Sequence, residues 1–253
     1  DEMAVVWSGD MEGEENFSDI QRLESLSVEV EKLVKDFKKS RAVQTLSKDG
    51  VERLNAAMPH VLKAIIVPGL NVETVKRVLA VIESITKRSV YLVLLKENPG
   101  ALEHLVKLCD VSAWLAEMLV KYPALLDQLL DERELYSPLN AEDLQAEACK
   151  LLDESGLDEE RFMNALRQWR HAQVFKVAAA DVTQHVPIMK VSDYLTWIAE
   201  AVLNVAVEFS WRLMQNKSGL PGGLPDGEVR NPFIILGYGK LGGIELGYGS
   251  DLD

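Results

Sequence analysis

From Ile20 to Leu213, apolar residues return every three or four positions, and this spacing governs what the chain can fold into. A repeat near 3.6 gathers them on one side of a helix, whereas a repeat of two would line one face of a strand. Ile20, Leu23, Val30, Leu33, Val34 and Phe37 hold the helical interval, and Ser18 and Gln21 stand before them at capping-box spacing. A second helical stretch runs from about Val51 through Val67. Pro59 falls inside it and is expected to kink or interrupt it. Pro68-Gly69 is a stop signal. Asn71 can then cap a helix whose Val72, Val75, Leu79, Ile82 and Ile85 form one apolar stripe. The run Val90 to Leu95 is apolar almost all round, which predicts burial on every side. After Pro99-Gly100, Leu102, Leu105, Leu108, Leu115, Leu119, Leu125 and Leu129 continue in short helical pieces separated at Ser112 and Pro123. No fixed period relates these pieces, so a solenoid is not indicated.

Beyond the connector Tyr136 to Leu139, Asn140 or Asp143 opens a helix that Gly156 closes. Asp158 caps a long helix carrying Phe162, Leu166, Trp169 and Phe175 on one face, with Pro187 as its predicted end. Ser192 is the predicted cap of the last helix, where Leu195, Ile198, Ala199, Val202, Leu203, Ala206, Phe209 and Leu213 keep the pattern. Trp197 and Trp211 read as core. Ser218 to Asn231 loses all periodicity and is rich in Gly and Pro, the mark of a boundary loop.

Charge narrows the functional classes. Forty carboxylates against 27 Lys and Arg give a net charge of −13, and no basic stripe offers a footprint for nucleic acid. No apolar run approaches the ~20 residues needed to span a bilayer, so no membrane association is expected. The first 19 residues hold seven carboxylates and neither Lys nor Arg, the reverse of a signal peptide's charged start. Trp7 is the candidate for pinning this acidic segment to the body. The two cysteines, Cys109 and Cys149, lie in helical patterns; buried thiols in a reducing, cytoplasmic setting are expected. His60, His104, His171 and His185 are scattered, with no metal-ligand spacing among them. Lys35, Lys38, Lys39 and Arg41 read as a solvated helix face. Arg167, Arg170, His171 and Lys176 read as salt-bridged surface, with a nucleotide or partner contact as the sharper option.

The character of the chain changes at Pro232. Phe233 to Leu236 suits a short buried strand, and Gly237, Gly239, Gly242 and Gly243 require a tight turn or a close approach. Ser250-Asp251-Leu252-Asp253 then sets two carboxylates at i and i+2. On an extended strand they share a face, with Cα atoms roughly 6.5 Å apart at about 3.3 Å per residue. Gly237 to Gly242 spells the dinucleotide fingerprint, but that reading needs a full crossover helix and an acid about 20 residues later. Only Leu241 to Leu246 could be helical before the acids arrive. A Walker loop fails as well, since Ile234 stands at its first glycine and Leu241 replaces its Ser or Thr. Spacing alone leaves two readings: a site for a metal-bound polyphosphate, or a glycine turn followed by a solvated acidic pair.

The stretch GYGKLGGIELGYGSDLD resembles the glutamine synthetase adenylyltransferases, bifunctional enzymes that add and remove AMP on glutamine synthetase. Tyr91 to Asp131 and Phe175 to Trp197 are similar to the helical region before their catalytic domain. Tyr238 and Ile244 to Tyr248 look like the second, adenylylating half. The family's two catalytic domains belong to the polymerase-β-like nucleotidyltransferases, in which a glycine turn after a strand precedes an Asp-x-Asp on the next. The chain departs from that superfamily at Lys240, where a second Gly or Ser is usual.

The resemblance implies a mainly α fold: a multi-helix domain followed by the first strand–turn–strand elements of an α/β nucleotidyltransferase domain. The expected divisions are a loosely held segment at 1–17, a helical domain at 18–217, a linker at 218–231 and the start of the catalytic domain at 232–253. It also implies ATP and Mg2+ as cofactors, with Asp251 and Asp253 as catalytic metal ligands. The backbone of Gly239, Lys240, Leu241, Gly242 and Gly243 would hold the β- and γ-phosphates. Ser250 would bond phosphate or cap the turn, and Lys240 would neutralise phosphate or face solvent. Glutamine synthetase is the implied acceptor and a PII signalling protein the implied regulator. A third acidic residue would come from a later strand, so these residues alone are not expected to transfer AMP. The alternatives are a helical docking module without activity of its own, or a related nucleotidyltransferase with another acceptor.

Overall fold

The apolar spacing resolves into helices. The computed structural model describes residues 7, 28–66, 68, 70–220 and 231–250, and its packing divides the chain into two units, Asp1–Glu132 and Arg133–Asp253. Among the described residues the fold is mainly helical and contains no strand.

The first unit holds α1 (Val28–Lys39), α2 (Arg41–Gln44), α3 (Lys48–Ile66), α4 (Val72–Ile85), α5 (Ser89–Glu97), α6 (Pro99–Val111) and α7 (Ala113–Lys121), then a 3-10 segment, Pro123–Leu129. Helix α4 is its hub, touching α1, α6 and α7. Val75, Val78, Val81, Ile82 and Ile85 are each at most 1% exposed, so one face of α4 is fully buried. Each such side chain contributes about 1.5–3 kcal/mol on leaving water. Asn71 caps α4 as its sequence predicts, Oδ1 accepting from the Thr74 amide at 2.8 Å. Ser112 does the same for α7 at Leu115. All seven leucines from Leu102 to Leu129 named above are buried.

Trp7 is buried against this unit, donating to Asn55 Oδ1 at 2.7 Å and lying beside Phe37, while Lys38 sits 4.6 Å above its ring. The expected capping box at Ser18 and Gln21 lies outside the described residues.

Two expectations fail in this unit. Pro59 does not interrupt its helix: α3 runs through it, and the ring is buried. Proline removes one helical donor, but apolar packing around the ring offsets that loss. The Val90 to Leu95 run is not enclosed either. Leu92 and Leu95 face the core, whereas Val90 is 72% exposed, because α5 packs on the core along one side only.

The unit boundary falls within the short α8 (Glu132–Tyr136). The second unit is built on α9 (Ala141–Ser155), α10 (Glu159–Val182) and α11 (Ile188–Ser218), which all pack on one another. At 1.5 Å per residue, the 31 residues of α11 extend about 46 Å. Phe162 of α10 and Phe209 of α11 stack with ring centroids 4.2 Å apart. Around them lie Leu144, Leu152, Leu166, Leu195 and Ile198. Trp211 is buried and Trp197 packs at the margin, as expected of core residues. Polar ties fix the register: Glu147 Oε2 accepts from Trp169 Nε1 and Gln173 Nε2, both at 2.9 Å, and Arg212 reaches Asp153 and Glu208.

Asn140 and Asp158 cap α9 and α10, and Gly156 closes α9 with φ +59°. Ser192 is not the cap of α11. That helix begins four residues earlier, with Pro187 at the N-cap and α10 already ended at Val182. Proline's fixed φ and missing N–H suit the start of a helix, and that preference outweighs a serine one turn later. Cys109 is buried as expected, but Cys149 is exposed on α9. No helix among the described residues is long and apolar enough to cross a membrane. Most of the predicted linker, 218–231, lies outside the described residues.

Candidate functional site

In the second unit, the glycine-rich stretch forms one helical turn, α12 (Gly239–Gly242), and then folds back on the helices. The turn is shorter than the Leu241 to Leu246 helix its sequence allows. Gly239 enters it at φ +55°. Its end is a Schellman motif: Glu245 N–H donates to Lys240 O at 2.8 Å, and Ile244 N–H to Leu241 O at 3.2 Å. The residue in the left-handed position is Ile244, φ +57°, where glycine is usual. A β-branched residue there costs about 1–2 kcal/mol, stored directly after the turn.

Close approach explains the glycines better than flexibility does. A β-carbon on Gly242 would lie 2.4 Å from Gly237 O, and one on Gly237 would press on Leu241. Gly242 and Gly243 donate their own amides to Tyr238 O and Gly239 O. A helical turn leaves its first N–H groups without internal acceptors. Here those are Gly239, Lys240 and Leu241, and the Lys240 side chain is exposed.

The stretch is seated through Leu246 and Tyr248. Leu246 is 4% exposed and belongs to the core formed by α9, α10 and α11. Tyr248 Oη donates to Asp181 Oδ2 at 2.8 Å. Burial first, and then Asp181, push the Tyr248 phenol well above its ordinary value. Asp181 is held in turn: α10 ends in a second Schellman motif, with Gln184 at φ 63° donating to Asp181 O and His185 to Ala180 O. Ser250 closes the last described turn, its Oγ accepting from the Gly247 amide at 2.9 Å and its own amide donating to Gly247 O.

A cavity of about 40 Å3 lies beneath this turn, lined by Val174, Leu195 and Ile198 and by Arg170, Tyr248 and Ser250 at its polar end. No ion pair among the described residues involves Arg167 or Arg170, contrary to the salt-bridged expectation, whereas Lys176 lies 3.5 Å from Glu134. A larger open cleft in the first unit, about 340 Å3 and lined by Arg53, Lys87 and hydroxyls, contains none of the residues the sequence singles out.

Phe233 to Leu236 do not form the expected buried strand. All four are exposed, Ile234 at 84%, because no ladder partner stands beside them among the described residues. Phe233 only meets the Trp211 edge, 6.0 Å between centroids. The two candidate metal ligands, Asp251 and Asp253, lie outside the described residues. Among the described residues no cluster of His, Cys, Asp or Glu has the makings of a metal site. The two aspartates that follow Ser250 in the sequence are hard oxygen donors, the type magnesium takes. Asp181 has no signal in the sequence: nothing local announces a partner 67 residues away.

The sequence profile of the glutamate–ammonia ligase adenylyltransferases matches residues 102–253, more than half of the chain, and runs through the turn just described. The chain belongs to that family. A relative from Thioalkalivibrio sulfidiphilus, a bifunctional glutamine synthetase adenylyltransferase/adenylyl-removing enzyme, is 42% identical over 99% of this chain and 26% of its own length. Proteins of the same description from Pseudomonas putida and Pseudomonas syringae are 44% and 45% identical, over 85% and 84% of this chain and 22% and 21% of theirs. The chain thus spans about a quarter of the length of these adenylyltransferase relatives.

Proposed function

We propose that the protein carrying this chain transfers AMP from ATP to a tyrosine of glutamine synthetase, and that the chain supplies a helical body and the opening of the adenylylating catalytic domain. The observation that carries this is the seating of the glycine turn on α10 and α11, immediately before Ser250-Asp251-Leu252-Asp253, in a chain of this family. The names of the relatives supply the acceptor.

In this reading the acceptor hydroxyl attacks the α-phosphorus of ATP, the new O–P bond forms, and pyrophosphate departs with the electrons of the broken one. The free amides of Gly239, Lys240 and Leu241 meet the β- and γ-phosphate oxygens, and the exposed Lys240 ammonium offsets their charge. Asp251 and Asp253 would hold magnesium, which would supply stabilisation of the charge growing on the attacking and departing oxygens. Ser250 fixes the turn before them by accepting the Gly247 amide. Phe233 to Leu236 become the strand before the turn in the intact protein; four consecutive exposed apolar residues support this, since such a run ordinarily has a cover. A PII signalling protein is the proposed regulator, on the resemblance alone.

The test is the full-length protein incubated with ATP, glutamine synthetase and Mg2+. The expected result is AMP on a tyrosine of glutamine synthetase, lost on chelation of the metal. Absence of label, or labelling indifferent to the metal, would refute the reading.

A further inference from the structure

Catalytic carboxylates must be held to within about half an ångström to act, so whatever anchors the chain just ahead of them matters as much as the ligands themselves. Tyr248 stands three residues before Asp251. Its hydroxyl reaches out of the glycine-rich stretch to Asp181 at the end of α10, across 67 residues of sequence. Asp181 is a rigid acceptor, because its carbonyl oxygen is bonded by Gln184 within the Schellman turn that closes the helix. Ala178, Ala179 and Ala180 precede it, each at most 1% exposed, so this part of α10 is tightly packed. Flanking Tyr248, Leu246 is locked into the core and Ser250 is tied back to Gly247. The Tyr248–Asp181 bond is thus a long-range polar tie between the segment ending at Ser250 and α10.

We infer that Asp181, on a helix outside the catalytic motif, is a positioning residue for the reaction, acting through Tyr248 to set where the acidic pair begins. This rests on the proposed function, and the experiment separates the two. In the full-length protein, Tyr248→Phe keeps the ring and removes only the donor; Asp181→Ala removes the acceptor, while Asp181→Asn keeps an acceptor oxygen.

AMP transfer is measured against Mg2+ concentration for each variant, together with amide exchange of residues 244–250. A hydrogen bond to a charged group is worth about tenfold or more in an equilibrium. Tyr248→Phe and Asp181→Ala are each expected to raise the half-saturating Mg2+ concentration about tenfold, the double variant no further, and Asp181→Asn, which keeps a neutral acceptor, to fall between these and wild type. Exchange of the 244–250 amides should quicken in the same variants. A Tyr248→Phe enzyme with wild-type magnesium dependence, or losses that multiply in the double variant, would overturn the inference. Faster exchange with no change in magnesium dependence would overturn it too, showing an anchor that positions nothing. If the wild-type protein transfers no AMP, the functional reading fails by itself, and unchanged exchange in Tyr248→Phe would independently refute the anchoring.

Discussion

The α-carbon of Gly242 faces the carbonyl of Gly237 so closely that a β-carbon there would lie 2.4 Å from the oxygen. Both atoms are backbone, so a side chain cannot swing away to relieve the contact. Gly242→Ala is therefore expected to open the turn and lower AMP transfer by the full-length protein by at least about tenfold, equivalent to ~1.4 kcal/mol. The helical body, which does not depend on this contact, should unfold as before. Steady-state transfer beside thermal unfolding checks both halves of the prediction.

Ile244 should behave in the opposite way. It is half exposed and held at φ +57°, so its side chain contributes little packing while its backbone is strained. Ile244→Gly relieves that strain but loosens the unfolded chain. The net expected effect is neutral to stabilising by up to about 1 kcal/mol, read from denaturant unfolding.

These two positions mark how far the sequence could be read. Helices α4, α9 and α10 were legible because periodicity and caps agreed at Asn71, Asn140 and Asp158, which are local signals. Ser192 misled because it is a good cap in isolation, and only the neighbouring proline shows that the helix has already begun. Val90 misled because all-round apolarity says nothing about how many sides have neighbours. The glycine turn was legible as a turn, but the Gly237–Gly242 approach and the left-handed Ile244 are properties of three-dimensional closure. The Tyr248–Asp181 contact was out of reach altogether, since pairing across two helices leaves no spacing to recognise.

The two thiols should differ sharply. Burial pushes Cys109 up to about 12, so at pH 8 only about one part in ten thousand is thiolate, the reactive form. Cys149 is exposed. A thiol reagent at pH 8 is expected to modify Cys149 promptly and Cys109 only after denaturation; prompt reaction of Cys109 would mean that α6 is not packed as described.

Alkaline pH offers a test of the Tyr248 anchor. The phenol ionises near its ordinary value of 10 when unfolded and well above that when folded. A group whose folded value is raised contributes stability that is intact below the unfolded value and lost as pH rises through the folded one. The stability difference between wild type and Tyr248→Phe should thus be constant below about pH 10 and shrink above it. Urea unfolding of both proteins across that range measures it.

The most direct measurement is AMP transfer by full-length Asp251→Asn protein, with ATP, magnesium and glutamine synthetase in saturating amounts. The substitution preserves shape and removes one charge from the pair that would hold the metal. Transfer is predicted to disappear, with circular dichroism and thermal unfolding of the helical body unchanged. Turnover near that of the wild type would contradict the account and take the acidic pair out of the reaction.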